Sequence, residues 1–404
     1  MLFIVSVTFF YLLQKQRHRP RNRVTDVEKC RQLIAADGQF MGKTNLLSPL
    51  ASRELPNRPL RITFGIENAF TTPDEELAAQ FVHRSRALVN VTAIEWYYVS
   101  RKIRKAARLW LAHPIEEIPI ARLVQVLSLR LVIMTLLEIK LPVKVWNELY
   151  LANLASQINE LWIISESDQT PPFAGSVLIR EALSSLCPGY DLSQPRDNPL
   201  NLILPGFETT WRVALRLLLE LRRGDPDWID LVIGFSRRPT TGNLKERNSS
   251  GVCAEHLIFE ALRLYPPTKR ICRAFRWQDA SKNIVEQDTY AADIEACHLS
   301  VDIWGQDARE FNPLRWANPT QGQKRAFMPF GAPPFECPAK PVFGPKMIGT
   351  IVGVLLQGLE EKGQWTTVDS YGREMDVNFY GARLSNARSA YDELIFRLDG
   401  RDAE

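Results

Sequence analysis

The sequence predicts a mainly α-helical chain with small β-sheets. Helical spacing of apolar residues recurs in both halves, and residues 201–223 form a leucine-rich run long enough for a central helix. Strand-like and turn-like pieces fill 268–335. With 404 residues, 45% hydrophobic and 24% charged, the chain can bury a sizeable core. No internal repeat or Ser/Gly linker divides it.

Residues 1–13 read MLFIVSVTFFYLL, followed by Lys15, Arg17, Arg19, Arg21 and Arg23. Thirteen helical residues rise only ~20 Å against a hydrocarbon layer of ~30 Å. No small-residue cleavage site follows, so a shortened signal anchor is expected at 1–23, with the basic residues holding 24–404 in the cytosol. A segment lying in the interface is the alternative. Residues 24–37 and 74–112 have helical spacing, the second bounded by Pro73 and Pro114. Residues 40–72 read as irregular. Residues 119–165 are helical and broken at Pro142, and 168–200 read as a proline-bearing loop. The long helix follows, then a helix over 252–265 stopped by Pro266-Pro267, and an apolar helix near 345–358.

A formal charge of +4, evenly spread, argues against nucleic acid, though it suits a basic docking face for an acidic partner. The cysteines at 30, 187, 253, 272, 297 and 337 form no close pair in sequence. That argues against a disulfide framework or zinc site and for a reducing compartment. Five histidines show no metal-binding spacing. The stretch Asp37–Thr44 nearly matches a phosphate-binding loop. However, Asp37 replaces its first glycine, and the residues before it read as helix rather than strand.

Three motifs carry chemistry. The first is Phe330-Gly331-Ala332-Pro333-Pro334-Phe335-Glu336-Cys337-Pro338-Ala339, ahead of an apolar helix. A cysteine at a helix start gains support for its thiolate from unsatisfied N–H groups and the macrodipole, and Pro338 suits a first helical position. A buried structural cysteine is the plain alternative. The second is Glu260-Ala261-Leu262-Arg263, whose i,i+3 spacing lets acid and base pair; Arg315, in a later Phe-Asn-Pro-Leu-Arg-Trp stretch, can join them as a buried cluster. Two more such spacings, Glu28 to Arg31 and Glu220 to Arg223, read as surface pairs. The third is Pro205-Gly206-Phe207-Glu208-Thr209-Thr210. An acid and an alcohol inside an apolar helix break local rules, as functional sites do. Gly206 leaves room for a small ligand, Thr209 can donate a hydrogen bond to it, and Glu208 can relay protons from solvent. A helix N-cap region is the plain alternative.

The order and spacing of these motifs resemble the cytochrome P-450 superfamily. The Cys-Pro-Ala and Trp304–Pro313 stretches look like eukaryotic, fungal-type members. The clear matches run from about 198 to 358. The resemblance implies haem b lying between the long helix and the helix after the cysteine loop, with Cys337 as axial iron ligand. Thr209 and Glu208 would form the oxygen-activating pair, and Glu260, Arg263 and Arg315 the structural triad. Gly206 and Phe330 would line the cofactor, and Arg270 and Arg273 are candidates for a haem propionate. It further implies a monooxygenase on the endoplasmic reticulum membrane, facing the cytosol. Electrons would come from an NADPH-dependent cytochrome P-450 reductase, and the substrate would be a lipophilic small molecule of secondary metabolism. The alternatives are a degenerate non-catalytic relative or a haem-thiolate isomerase or dehydratase. Departures are Pro333 for a glycine, Phe335 where Arg or His is common, Pro341 and Pro345 after the cysteine, and a shortened region before the long helix. Trp96 and Arg101 lack the family's spacing for a haem-contacting pair.

Overall fold

A computed structural model describes residues 22–36, 38–112, 116–137, 139, 148–165, 171–279, 284–375 and 383–399. In chain order the elements are β1 (Asn22–Val24), α1 (Val27–Ala35), β2 (Gln39–Phe40), β3 (Lys43–Thr44), α2 (Pro49–Phe64), α3 (Glu75–Leu88) and α4 (Ala93–Leu111). Next come β4 (Glu117–Pro119), α5 (Ile120–Leu136), α6 (Glu148–Ser165), α7 (Val177–Leu186), α8 (Leu200–Arg223), α9 (Pro226–Arg237), α10 (Thr241–Lys245) and α11 (Ala254–Leu264). The chain continues through β5 (Arg270–Asp279), β6 (Ile284–Asp293), α12 (Ile294–His298), α13 (Val301–Trp304), α14 (Gln321–Ala326), α15 (Phe343–Glu360), β7 (Trp365–Val368) and β8 (Ile395–Leu398). Three small sheets form, ordered β1-β6-β5, β2-β3 and β4-β8-β7.

The helices are started by side-chain caps. Ser48, Asp74 and Asp225 each accept a backbone N–H in the following first turn. Thr92 and Glu95 form a reciprocal capping box, which splits the helix expected over 74–112 into α3 and α4. The region read as irregular holds α2 despite Pro56 and Pro59 inside it. Each proline removes one helical hydrogen bond. Tertiary contact compensates: the Ser52 hydroxyl donates to the Ala274 carbonyl at 2.6 Å, tying α2 to β5. Likewise α7 occupies part of the expected loop 168–200.

The anchor segment 1–21 lies outside the described residues, whereas Asn22 and Arg23, assigned above to its basic end, pair in parallel with Tyr290 and Ala291 of β6. Among the described residues no helix is long and apolar enough to cross a membrane. The near-match to a phosphate loop is a tight β2–β3 hairpin, with Met41 and Gly42 both at positive φ. No strand-to-helix phosphate cradle is present there.

The core is built on α5, α8 and α15, each buried along nearly its whole length. Gly353 sets how closely α15 meets α9. A Cβ there would lie 2.3 Å from the Val232 carbonyl oxygen and 2.6 Å from the Ser236 Cβ. Main chain cannot step aside as a side-chain tip can. Gly353→Ala is therefore expected to lose ~1–3 kcal/mol of stability in a urea titration; an unchanged midpoint would contradict this packing.

Candidate active site

The cysteine loop is closed by main-chain hydrogen bonds. The Cys337 N–H donates to the Phe330 carbonyl at 2.9 Å, and the Gly344 N–H donates to the Ala339 carbonyl at 2.8 Å. Helix α15 starts at Phe343, so Cys337 stands six positions ahead of it and not at its N-terminus. This corrects the expected dipole support, which fades within one turn. Pro345 falls in the first turn of α15, where its missing N–H costs no helical bond. Phe330 packs on the same turn: a Cβ on Gly344 would come within 2.9 Å of its ring.

The Cys337 side chain is exposed. The protein around it nevertheless raises the thiol's pKa by desolvation, while the Ala339 N–H and the Arg53 charge favour the thiolate and Glu336 opposes it. Arg53 is the residue that sequence reasoning missed. It lies on α2, in a stretch whose prolines hid the helix. Its guanidinium sits 4.2 Å from the Phe70 ring centroid and 4.9 Å from that of Phe335. Arg273 approaches the Phe335 ring at 5.3 Å and donates to the Ile34 and Cys272 carbonyls. Phe335, the apparent departure from the family pattern, is thus an aromatic platform between two cations.

Neither arginine pairs with a carboxylate among the described residues, although Arg53 is 9% and Arg273 3% exposed. Burial lowers their pKa values to about 9 and about 10, both still above neutral pH. Two buried positive charges without an anion are costly. Arg270 lies one step out of phase on β5, so its side chain points to the other face. It pairs there with Asp293 at 3.5 Å and is not brought to this cluster.

Glu260, Arg263 and Arg315 do come together. Arg263 grips Glu260 with two bonds of 2.7 and 2.9 Å, and Arg315 Nε adds a third at 2.9 Å. The Asn312 N–H and Trp316 Nε1 complete the carboxylate's shell at 3.0 and 2.9 Å. Arg263 also donates to the His298, Ala308 and Glu310 carbonyls, tying α11 to the segment before the cysteine loop. The other two spacings behave differently from the surface pairs expected. Glu28 binds Arg325 rather than Arg31. Glu220, 2% exposed, is buried beneath Tyr265, whose hydroxyl donates to it alongside Arg223.

His298 joins the triad to the loop. Its Nδ1 lies 3.0 Å from the Arg263 carbonyl, and its Nε2 accepts the Met328 N–H at 2.9 Å. Those partners assign the proton to Nδ1 of a neutral ring. Burial, reinforced by Arg263, lowers its pKa to about 3, against ~6.5 unfolded. Between those values the unfolded chain binds the extra proton, so this contribution is intact above pH ~6.5 and shrinks as pH falls. Lowering pH from 7 to 5 should cost ~2 kcal/mol through this residue. Urea midpoints of wild type and His298→Gln should show the variant losing less on acidification; equal losses would contradict the assignment.

On α8 the acid–alcohol motif lies well inside the helix, which starts at Leu200, so the N-cap alternative does not hold. Gly206 faces α5: a Cβ there would come within 2.9 Å of Leu136 and 3.1 Å of Val132. Its small size is explained by helix-to-helix contact, not by room for a ligand. The Thr209 hydroxyl donates to the Pro205 carbonyl at 2.7 Å. Glu208 is 4% exposed and paired with Arg388, which also donates to Asn159 at 2.8 Å. In this arrangement the Thr209 hydroxyl is committed to Pro205 and one Glu208 oxygen to Arg388, while Glu208 Oε1 has no hydrogen-bond partner among the described residues.

The architecture, mostly helical with small sheets, is the cytochrome P-450 fold. The crystal structure of CYP175A1 from Thermus thermophilus superimposes with a TM-score of 0.54 at 16% identity, covering 85% of this chain and 82% of that one. A 6-coordinated cytochrome P450 from the same species gives 0.53 at 16% identity over 85% and 84%. The sequence model for the family described as Cytochrome P450 matches residues 229–358. Cytochrome P450 734A5 of Oryza sativa subsp. japonica is 31% identical over 166 residues, 38% of this chain and 30% of that protein. A cytokinin hydroxylase of Arabidopsis thaliana is 34% identical over 141 residues, 33% of this chain and 27% of its own. Cytochrome P450 monooxygenase himC of Aspergillus japonicus is 29% identical over 163 residues, 36% and 28%. The aligned part therefore spans less than a third of these relatives. Residues 229–358 thus carry the sequence pattern of the cytochrome P-450 superfamily, and the chain has its fold.

The family match and the fold imply haem b, and the residues present fit it. An exposed thiol supplies the soft donor, and two buried arginines without a carboxylate match an anionic edge such as the propionates. Cys337 would hold the iron, with Arg53 and Arg273 the propionates. Bound there, haem supplies oxygen or redox chemistry that no protein side chain provides.

Proposed function

We propose that this chain is a haem-thiolate monooxygenase acting on a lipophilic small molecule. The observation that carries the reading is the exposed Cys337 thiol near Arg53, with Arg273 on the same Phe335 ring, two buried cations that pair with no carboxylate among the described residues. Relatives named as monooxygenases support the same class. In this reading Cys337 binds the metal, and Arg53 and Arg273 orient the cofactor's acidic edge. The Glu260 cluster holds the loop rigid behind the sulfur. Electrons come from an NADPH-dependent flavoprotein reductase. The segment before β1, residues 1–21, anchors the chain to the endoplasmic reticulum, and the product belongs to secondary metabolism of a fungal type. Purified protein reduced under carbon monoxide should show a red-shifted Soret band. Protein that folds but carries no haem would overturn the proposal.

A second reading rests on α8. With Glu208 paired to Arg388 and Thr209 bonded to Pro205, the acid–alcohol pair is disengaged. That arrangement favours a haem-thiolate isomerase or dehydratase, which needs no proton delivery to oxygen. Substrate-dependent NADPH and O2 consumption separates the two: the monooxygenase requires both, and the alternative turns over without them.

A further inference from the structure

A second, smaller core packs around α1 and the β5–β6 hairpin and reaches the foot of the cysteine loop through Met328 and Ala332. Within it lie Cys30 on α1 and Cys297 on α12, 0% and 1% exposed. Their sulfurs are 3.7 Å apart although 267 positions separate them in sequence. The Cys30 thiol donates to the Val24 carbonyl at 3.1 Å and Cys297 to the Thr25 carbonyl at 3.3 Å. Both side chains are therefore fixed on the same turn between β1 and α1. Nothing in their spacing along the chain hints at this pair.

We propose that Cys30 and Cys297 form an oxidative cross-linking site that staples α1 to the layer beneath the cysteine loop. A disulfide needs its sulfurs at about 2.0 Å, so they must close by roughly 1.7 Å. A small shift of α1, only nine residues long, supplies that.

The oxidant is a low-molecular-weight disulfide such as oxidised glutathione. One protein thiolate attacks it, forming a mixed disulfide and expelling one glutathione thiolate. The second protein thiolate then attacks the protein sulfur, the S–S bond between the cysteines forms, and the second glutathione leaves. Two thiols lose two protons and two electrons, and the small disulfide is reduced to two thiols. The hydrogen bond to Cys30, followed by burial, raises the Cys297 pKa, so the reaction waits on transient opening of α1 and is slow. Once formed, the bond closes a loop spanning most of the domain and restricts the unfolded chain.

The test uses full-length protein, reduced, desalted and incubated with oxidised glutathione. Peptide mapping without reduction should find Cys30 joined to Cys297. The thermal midpoint should rise by about 5 °C and return to its starting value with dithiothreitol. Cys297→Ser should lose both effects while keeping the other five cysteines. Linkage of a different pair overturns the proposal, as does recovery of both residues as free thiols after prolonged incubation with excess oxidised glutathione. The mapping on wild type decides the matter even where the variant does not fold.

Discussion

Glu260→Gln is expected to leave little or no stably folded protein. The carboxylate is 0% exposed and receives Arg263 twice, Arg315 once, the Trp316 ring N–H and the Asn312 N–H. An amide of the same shape fills the space but removes the negative charge. It then leaves the fully buried Arg263 guanidinium without its counter-ion, whereas Arg315 keeps Asp307 at 2.8 Å. Removing one member of a buried ion pair costs ~3–5 kcal/mol, against a total stability of ~5–15 kcal/mol. With one fully buried cation stranded, the loss should fall within that range. Urea unfolding of any soluble fraction measures it. Glu28→Gln is the control, since its partner Arg325 is at the surface and water replaces the contact. Equal midpoints for the two variants would show that the cluster contributes nothing special.

Cys337→Ser should have the opposite profile, with the fold intact and the chemistry gone. The side chain is exposed, and the loop around it is held by the main chain from Phe330 to Gly344. An oxygen in place of sulfur cannot donate electron density to iron as a thiolate does. The thermal midpoint should stay within a degree or two. The red-shifted carbon monoxide band should vanish, and turnover should drop below detection. A variant that keeps the band would show that another atom holds the iron.

The two changes divide what each part of the sequence could reveal. Cys337, Glu260, Arg263 and Arg315 were legible because their motifs are local and stand in a fixed order along the chain. Arg53 was not, because Pro56 and Pro59 disguise α2 and only its docking on β5 carries Arg53 to the loop. Arg270 and Arg273 looked equivalent in sequence, and strand alternation sends them to opposite faces. Arg388 lies far down the chain, and nothing near it signals that it meets Glu208. Glu220 and Glu260 share the same i,i+3 spacing to arginine, yet only contacts with other elements reveal that both are buried.

The sequence by itself determined the helical class, the long central helix and the resemblance to the cytochrome P-450 family, and it singled out Cys337. All of these rest on short-range periodicity, caps and spacing. Tertiary structure alone decided which charges face the cysteine, that Gly206 serves helix packing, and that Cys30 meets Cys297. Those facts depend on contacts between segments hundreds of positions apart, where burial is set by whatever packs on top and no local pattern records it.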